Sequence, residues 1–296
     1  MSVPFSLQVA SEIPSELSHG FVLIEPATID HEPFLQTLDM HPCTPRVLAH
    51  REELMPRLLD VSSLNSEAQA EISDVLIRET SANRPPVCCA WIASEVAIDD
   101  LAGHIARYLV GPGADARPAF WRFYDPRVLA LTLAVFDPVQ RATLLGPIAD
   151  WQFAWAGHRW TVTGSGTPND DSNGYMPAWP TPDQWLRISR SEAASRVVER
   201  LSAMAPEKAA QLPSELDRIF TAAAERGGMR DMDTLADYAW HCVRYGQAFE
   251  QHPIVLDAWP ALLQGEMLWS DVQAQFTPND FNALDTTSRS PLTQRN

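Results

Sequence analysis

The chain has 296 residues, 45% of them hydrophobic, which is enough for roughly two domains with sizeable cores and unlike a disordered chain. Its 22 Lys and Arg stand against 38 Asp and Glu, a formal net charge of −16, and both halves are acidic. No basic run occurs, which argues against nucleic acid or an anionic membrane as partner, and the one lysine, Lys208, has no GxxxxGK context for phosphate chemistry.

Residues 1–17 carry Glu12 and Glu16, no basic residue and no continuous apolar run, so no signal peptide is expected. The longest strongly apolar stretch, Val128 to Phe136, is well short of the ~18 residues a membrane helix needs. Cys43, Cys88, Cys89 and Cys242 show no CxxC spacing and read as buried free thiols. A cytoplasmic protein is the expectation.

Phe21-Val22-Leu23-Ile24 is a short continuous apolar run, as in a strand buried on both faces. A short helical piece over 33–38 follows, then a strand within Leu54–Val61, where Pro56 favours Leu58–Val61 or an edge position. Ser66-Glu67-Ala68-Gln69 reads as a capping box opening a helix to about Thr80, with Ile72, Val75 and Leu76 on one face. Pro86 to Ala93 predicts a buried strand, and Ile98, Leu101, Ala102, Ile105 and Leu109 form the apolar stripe of a helix.

The densest segment comes next. Phe120 to Tyr124 predicts a strand running straight into a helix, with Asp125 as N-cap and Pro126 at its first position. The device recurs at Asp137-Pro138-Val139-Gln140, where Gln140 completes a capping box and Gly146-Pro147 stops the helix. Trp151–Trp155 and Arg159–Thr163 predict a hairpin around Ala156-Gly157-His158. Residues 18–164 therefore read as an α/β (α+β) lobe with a small mixed sheet and flanking helices. Residues 165–186, rich in Gly, Pro, Asn, Asp and Ser, read as a linker, 187–282 as an all-helical lobe and 283–296 as a flexible tail. Within the helical lobe, helices are expected over 192–204, from Ser214 to Gly227-Gly228, from an Asp233 cap to Gly246, and from Pro253 and Ser270.

Chemistry-bearing constellations are scarce. Asp125 lies among Arg122, Tyr124 and Arg127; an aspartate beside arginines is held ionised and is a poor acid and weak base, so a capping, bridging role is the better reading. Eight histidines show no HExxH or HxH spacing, Gly164-Ser165-Gly166 is no nucleophile elbow, and Gly111-Pro112-Gly113 is no dinucleotide fingerprint. No catalytic, metal-binding or cofactor-binding residue is assigned, and no cofactor is expected. Ten tryptophans remain. Most belong in cores, but Trp151, Trp155, Trp179 and Trp185 are the candidates for an aromatic partner-binding surface.

The segment Arg122-Phe123-Tyr124-Asp125-Pro126-Arg127-Val128-Leu129, followed by the second Asp-Pro helix, Leu144-Leu145-Gly146-Pro147-Ile148 and the tryptophan hairpin, resembles the type VI secretion effector adaptor family, also called Tap or Tec chaperones. The similarity covers residues 21–163, with Arg122, Phe123, Tyr124, Asp125, Pro126 and Arg127 as the family motif of structural role. It extends more thinly to Tyr245-Gly246, Phe249 and His252-Pro253. Where the family often carries Leu-Asp at the end of the first strand, this chain has Ile24-Glu25. The resemblance implies a cytoplasmic, non-catalytic adaptor that binds a secreted toxin effector and helps load it onto a VgrG-type spike protein, with a groove expected where the two lobes meet. Two other readings stay open: a hydrolase-like enzyme using Asp125 and a histidine in an inter-lobe cleft, and a structural component of the secretion machine.

Overall fold

The computed structural model describes residues 5–82, 84–168, 178–201 and 203–289. The chain divides into two compact units, the first of Met1–Ser189 with Ala203–Pro213, the second of Arg190–Ser202 with Ser214–Asn296.

Among the described residues the first unit holds nine strands: β1 (Gln8–Val9), β2 (Phe21–Ile24), β3 (His41–Pro42), β4 (Arg57–Asp60), β5 (Cys88–Ala93), β6 (Val110–Pro112), β7 (Pro118–Phe120), β8 (Asp150–Trp155) and β9 (His158–Thr163). Seven form one sheet in the order β1-β9-β8-β5-β2-β4-β3, and β6 and β7 form a separate hairpin. The α-helices of the described residues are α1 (Ser66–Glu79), α2 (Ile98–Arg107), α3 (Pro126–Val135), α4 (Pro138–Leu145), α5 (Pro182–Ile188), α6 (Ser191–Arg200), α7 (Pro206–Ala209), α8 (Leu212–Gly227), α9 (Met232–Tyr245), α10 (Gln247–Glu250), α11 (Pro253–Gln264), α12 (Trp269–Gln273) and α13 (Pro278–Arg289).

The sheet is antiparallel at every pairing, not mixed as the alternation of strands and helices predicts. The reason is topological. Strands β4 and β5 run parallel and are joined through α1, but β2 is inserted between them and pairs antiparallel with both. A strand-helix-strand rhythm cannot distinguish this split crossover from an adjacent parallel pair. Strand β2 is buried along its whole length, as its unbroken apolar run demands. Val22 and Ile24 join Leu59, Ile72, Val75 and Leu76 in one continuous core cluster. The β8–β9 hairpin turns on Ala156 and Gly157, both at positive φ (51° and 76°), the geometry whose twist matches the flanking strands.

Several boundaries differ from the sequence reading. The α1 cap is Asn65, whose side chain accepts from the Ala68 N–H, so Ser66 is the first helical residue rather than the cap. Only Pro118–Phe120 is strand; Trp121 to Tyr124 leave the ladder because three of their four side chains turn inward and are buried. Part of the proposed linker, residues 169–177, lies outside the described residues. Within its described part, Thr181 and Gln184 form a reciprocal capping box that opens α5. Strand β1, ahead of the expected lobe boundary at residue 18, pairs with β9.

Every described element of the second unit is a helix. Helix α8 starts at Leu212, and α9 is capped by Asp231, not Asp233. Residues 278–289, partly assigned to a flexible tail, form α13, while residues 290–296 of that tail lie outside the described residues. Phe281 anchors α13 beside Phe276 and the rings of His241 and Tyr245. Asp237 is a polar hub on α9: it accepts from Arg200 (3.0 Å), Trp269 (2.9 Å) and Gln273. All four cysteines are buried free thiols. Among the described residues no helix is long and apolar enough to cross a membrane.

Candidate functional site

Glu25 follows the last residue of β2 and is carried into the interior by it. Its Oε1 accepts from the Ala27 N–H (3.0 Å), capping a short 3-10 helix over Pro26–His31. Asp125 caps α3 and accepts the Arg127 N–H at 3.0 Å. Both carboxylate side chains are only 3% exposed, so their oxygens need hydrogen-bond partners within the protein. Arg122 supplies the link: its Nη2 donates to Glu25 Oε2 at 2.7 Å and to Asp125 Oδ2 at 3.3 Å. Arg127 binds Asp125 in bidentate fashion, Nε to Oδ1 at 2.9 Å and Nη2 to Oδ2 at 2.6 Å, and the Tyr124 hydroxyl donates to Glu25 Oε2 at 2.9 Å.

The electrostatics follow from this closure. Asp125 holds the Arg127 guanidinium above its usual range. Burial, and then the Glu25 charge, push the Tyr124 phenol up; burial, and then the charges of Asp125 and Glu25, do the same to the Cys89 thiol. The thiol is therefore no nucleophile at neutral pH. All four carboxylate oxygens accept at least one hydrogen bond. What the corner offers to a partner is the outer edge of two guanidiniums, since the Arg122 and Arg127 side chains are 40% and 37% exposed.

A tryptophan cluster adjoins the corner. Trp121 is buried, with its ring 5.4 Å from that of Trp179 and 5.6 Å from that of Trp185. The indole N–H groups of Trp179 and Trp185 both donate to one acceptor, the Pro112 carbonyl, at 2.6 and 3.0 Å. Gly111 is required there: a Cβ on it would lie 2.5 Å from the Trp179 ring. Gln140 and Gln184 exchange amide hydrogen bonds at 3.0 and 2.7 Å, tying α4 to α5. A cavity of about 440 Å³ lies elsewhere in this unit, lined by Val96, Asp99, Asp100, His104, Arg107 and Pro147 among others, and the corner contributes nothing to it.

Residues 32–143 match the family model described as a domain of unknown function, DUF4123. The matched segment runs from before β3 into α4 and contains Arg122 to Arg127 but not Glu25, and it ends before the β8–β9 hairpin, Trp179 and Trp185. No curated protein and no solved structure matches the chain.

The predicted site residues separate into two groups. Arg122, Tyr124, Asp125 and Arg127 meet in one ion-paired corner; Phe123 is buried behind it against Trp151, and Pro126 begins α3. Among the tryptophans expected to form a surface, Trp151 and Trp155 are instead core residues, because alternate side chains of β8 point into the protein. Trp179 and Trp185 stay half-buried, with rings at the surface but N–H groups already satisfied. Sequence reasoning missed Glu25 as the second carboxylate; an acid directly after an unbroken apolar strand is the signal that marks it. It also missed Gly111 and Pro112, which only their tertiary contacts reveal. Among the described residues no group of three or more His, Cys, Asp or Glu is arranged to hold a metal ion.

Proposed function

We propose that this protein is a non-catalytic adaptor of a type VI secretion system, binding a toxin effector and helping to load it onto a VgrG-type spike protein in the cytoplasm. The observation that carries the reading is the DUF4123 match over residues 32–143, a domain known in type VI secretion effector adaptors. The chemistry of the corner supports it. Glu25 and Asp125 have their oxygens occupied by Arg122, Arg127, Tyr124 and backbone N–H groups, an arrangement that braces a strand end against a helix start and leaves no poised base. The same closure weighs against a hydrolase built on Asp125.

Co-expression with an effector and a spike protein of the same secretion system tests the reading. The adaptor should co-purify with both, and its deletion should stop export of that effector while the spike is still exported. Failure to bind either partner, with both folded and present, rejects it.

A further inference from the structure

Helix α13 carries its own start signals. Thr277 and Asp280 cap it reciprocally: the Thr277 N–H donates to Asp280 Oδ2 at 2.7 Å and the Asp280 N–H to Thr277 Oγ1 at 3.4 Å, with Pro278 at the first helical position. These bonds lie inside the segment and survive if it leaves its neighbours. Its anchoring is slight by comparison. Among residues 278–286, Leu284 is the one buried side chain, whereas α9 buries seven of its 14 residues. Asp285 reaches Arg244 at 3.5 Å, but those side chains are 35% and 44% exposed, so water screens the pair. Phe281 is the main anchor: half-buried, it stacks on Phe276 at 5.2 Å and on His241 at 5.9 Å, with Tyr245 at 6.0 Å.

The slot that receives Phe281 does not depend on it. His241 stacks on Phe249 at 5.1 Å, and Phe249 on Phe276 at 5.5 Å. The His241 Nδ1 lies 2.8 Å from the Asp237 carbonyl oxygen, and Trp269 and Gln273 tie α12 to the Asp237 carboxylate. Arg244 rests on the Trp240 and Tyr245 rings, 5.1 Å from each centroid. These walls are fixed by partners outside α13.

We propose that α13 is a reversible strap. It undocks as one piece while α9 to α12 keep their fold, and Phe281 is the plug that sets how often this happens. Closed, the plug covers the aromatic slot; open, the slot becomes a contact surface, so exposure of that surface is a two-state property of the second unit. The inference does not rest on the adaptor reading.

The test is thiol labelling of the full chain, read by mass spectrometry. The four native thiols are buried, and Cys242 on α9, 0% exposed, reports unfolding of the unit itself. Leu284→Cys places a reporter under the strap. Its thiol should label at least ~10-fold faster than Cys242, and at least ~10-fold slower than the same thiol in the urea-unfolded chain. Adding Phe281→Ala should quicken the reporter a further ~10-fold or more, with the Cys242 rate and the melting temperature unchanged. A reporter no faster than Cys242, an acceleration absent or shared with Cys242, or labelling at the unfolded rate before Phe281 is touched would each overturn the inference. Should either variant fold poorly, hydrogen exchange of the unsubstituted chain decides. The α13 amides should exchange at least ~10-fold faster than those of α9, and equal protection of the two helices rejects the strap.

Discussion

Glu25 and Asp125, from distant parts of the chain, accept from the same Nη2 of Arg122, at 2.7 and 3.3 Å. This one nitrogen fastens the end of a central strand to the start of α3. It also explains why a stretch that reads as a charge cluster in the sequence is a brace in the fold: the two acids are buried, and each arginine spans from them to the surface.

Replacing Arg122 with alanine should therefore destabilise the first unit strongly. Two buried carboxylates lose a shared donor, although Tyr124 and Arg127 remain, so the expected cost is about 2–3 kcal/mol, below the ~3–5 typical of a fully broken buried pair. Urea unfolding followed by circular dichroism measures it. Arg117→Ala, at an exposed pair with Asp115, should leave the midpoint where it is, and equal losses in the two variants would contradict the brace.

Gly111→Ala tests the tryptophan cluster. The added methyl meets the Trp179 ring at 2.5 Å, so the ring must move away from the Pro112 carbonyl. A loss of about 1–3 kcal/mol is expected, with red-shifted tryptophan emission as Trp179 gains water. An unchanged emission spectrum and melting temperature would show that the cluster is not packed as described.

Much of this fold is legible in the sequence where local chemistry decides. The Asp125-Pro126 and Asp137-Pro138 helix starts, the Gly146 stop, the buried β2 and the Ala156-Gly157 hairpin follow from caps, turns and patterning. What stays hidden depends on contacts far apart in the chain. The insertion of β2 between β4 and β5 has no local signature. Glu25 meets Arg122 only after the sheet has formed, and Trp151 is core because it lies on the inward face of β8, whereas Trp179 sits in the irregular segment before α5. The α5 start was readable in principle, since Thr181-Pro182-Asp183-Gln184 is a capping box with proline at the first position. The surrounding Gly, Pro and Asn masked it.

That cap gives a third prediction. Thr181→Ala removes the acceptor of the Gln184 N–H at the first turn of α5 and should lower stability by about 1 kcal/mol. Because α5 carries Trp185 and Gln184, whose side chain bonds Gln140, proteolysis after Arg187 should quicken in the variant. Thr181→Ser should restore both, and a serine variant as labile as the alanine one would rule out a capping role.

The second unit makes the protein acid-sensitive through Asp237. Burial alone would raise this carboxyl, but hydrogen bonds from His241, Trp269 and Arg200, with the nearby His241 charge, bring it down to about 2. An unfolded aspartate titrates near ~4. The folded state thus binds its proton less readily than the unfolded one, so the contribution is complete above pH ~4 and vanishes as pH falls toward ~2. Its size follows from that difference, about 2–3 kcal/mol, with the side chain 23% exposed. Urea midpoints of the wild type and of Asp237→Asn, taken at pH 6, 4 and 2.5, should differ most at pH 6 and converge at the lowest pH. Because the His241 ring lies 3.5 Å from the Asp237 carboxylate, the comparison is repeated with His241→Gln, which should keep the convergence while reducing the gap at pH 6. A gap that stays constant from pH 6 to 2.5 would show that Asp237 stabilises the helices by packing rather than by charge.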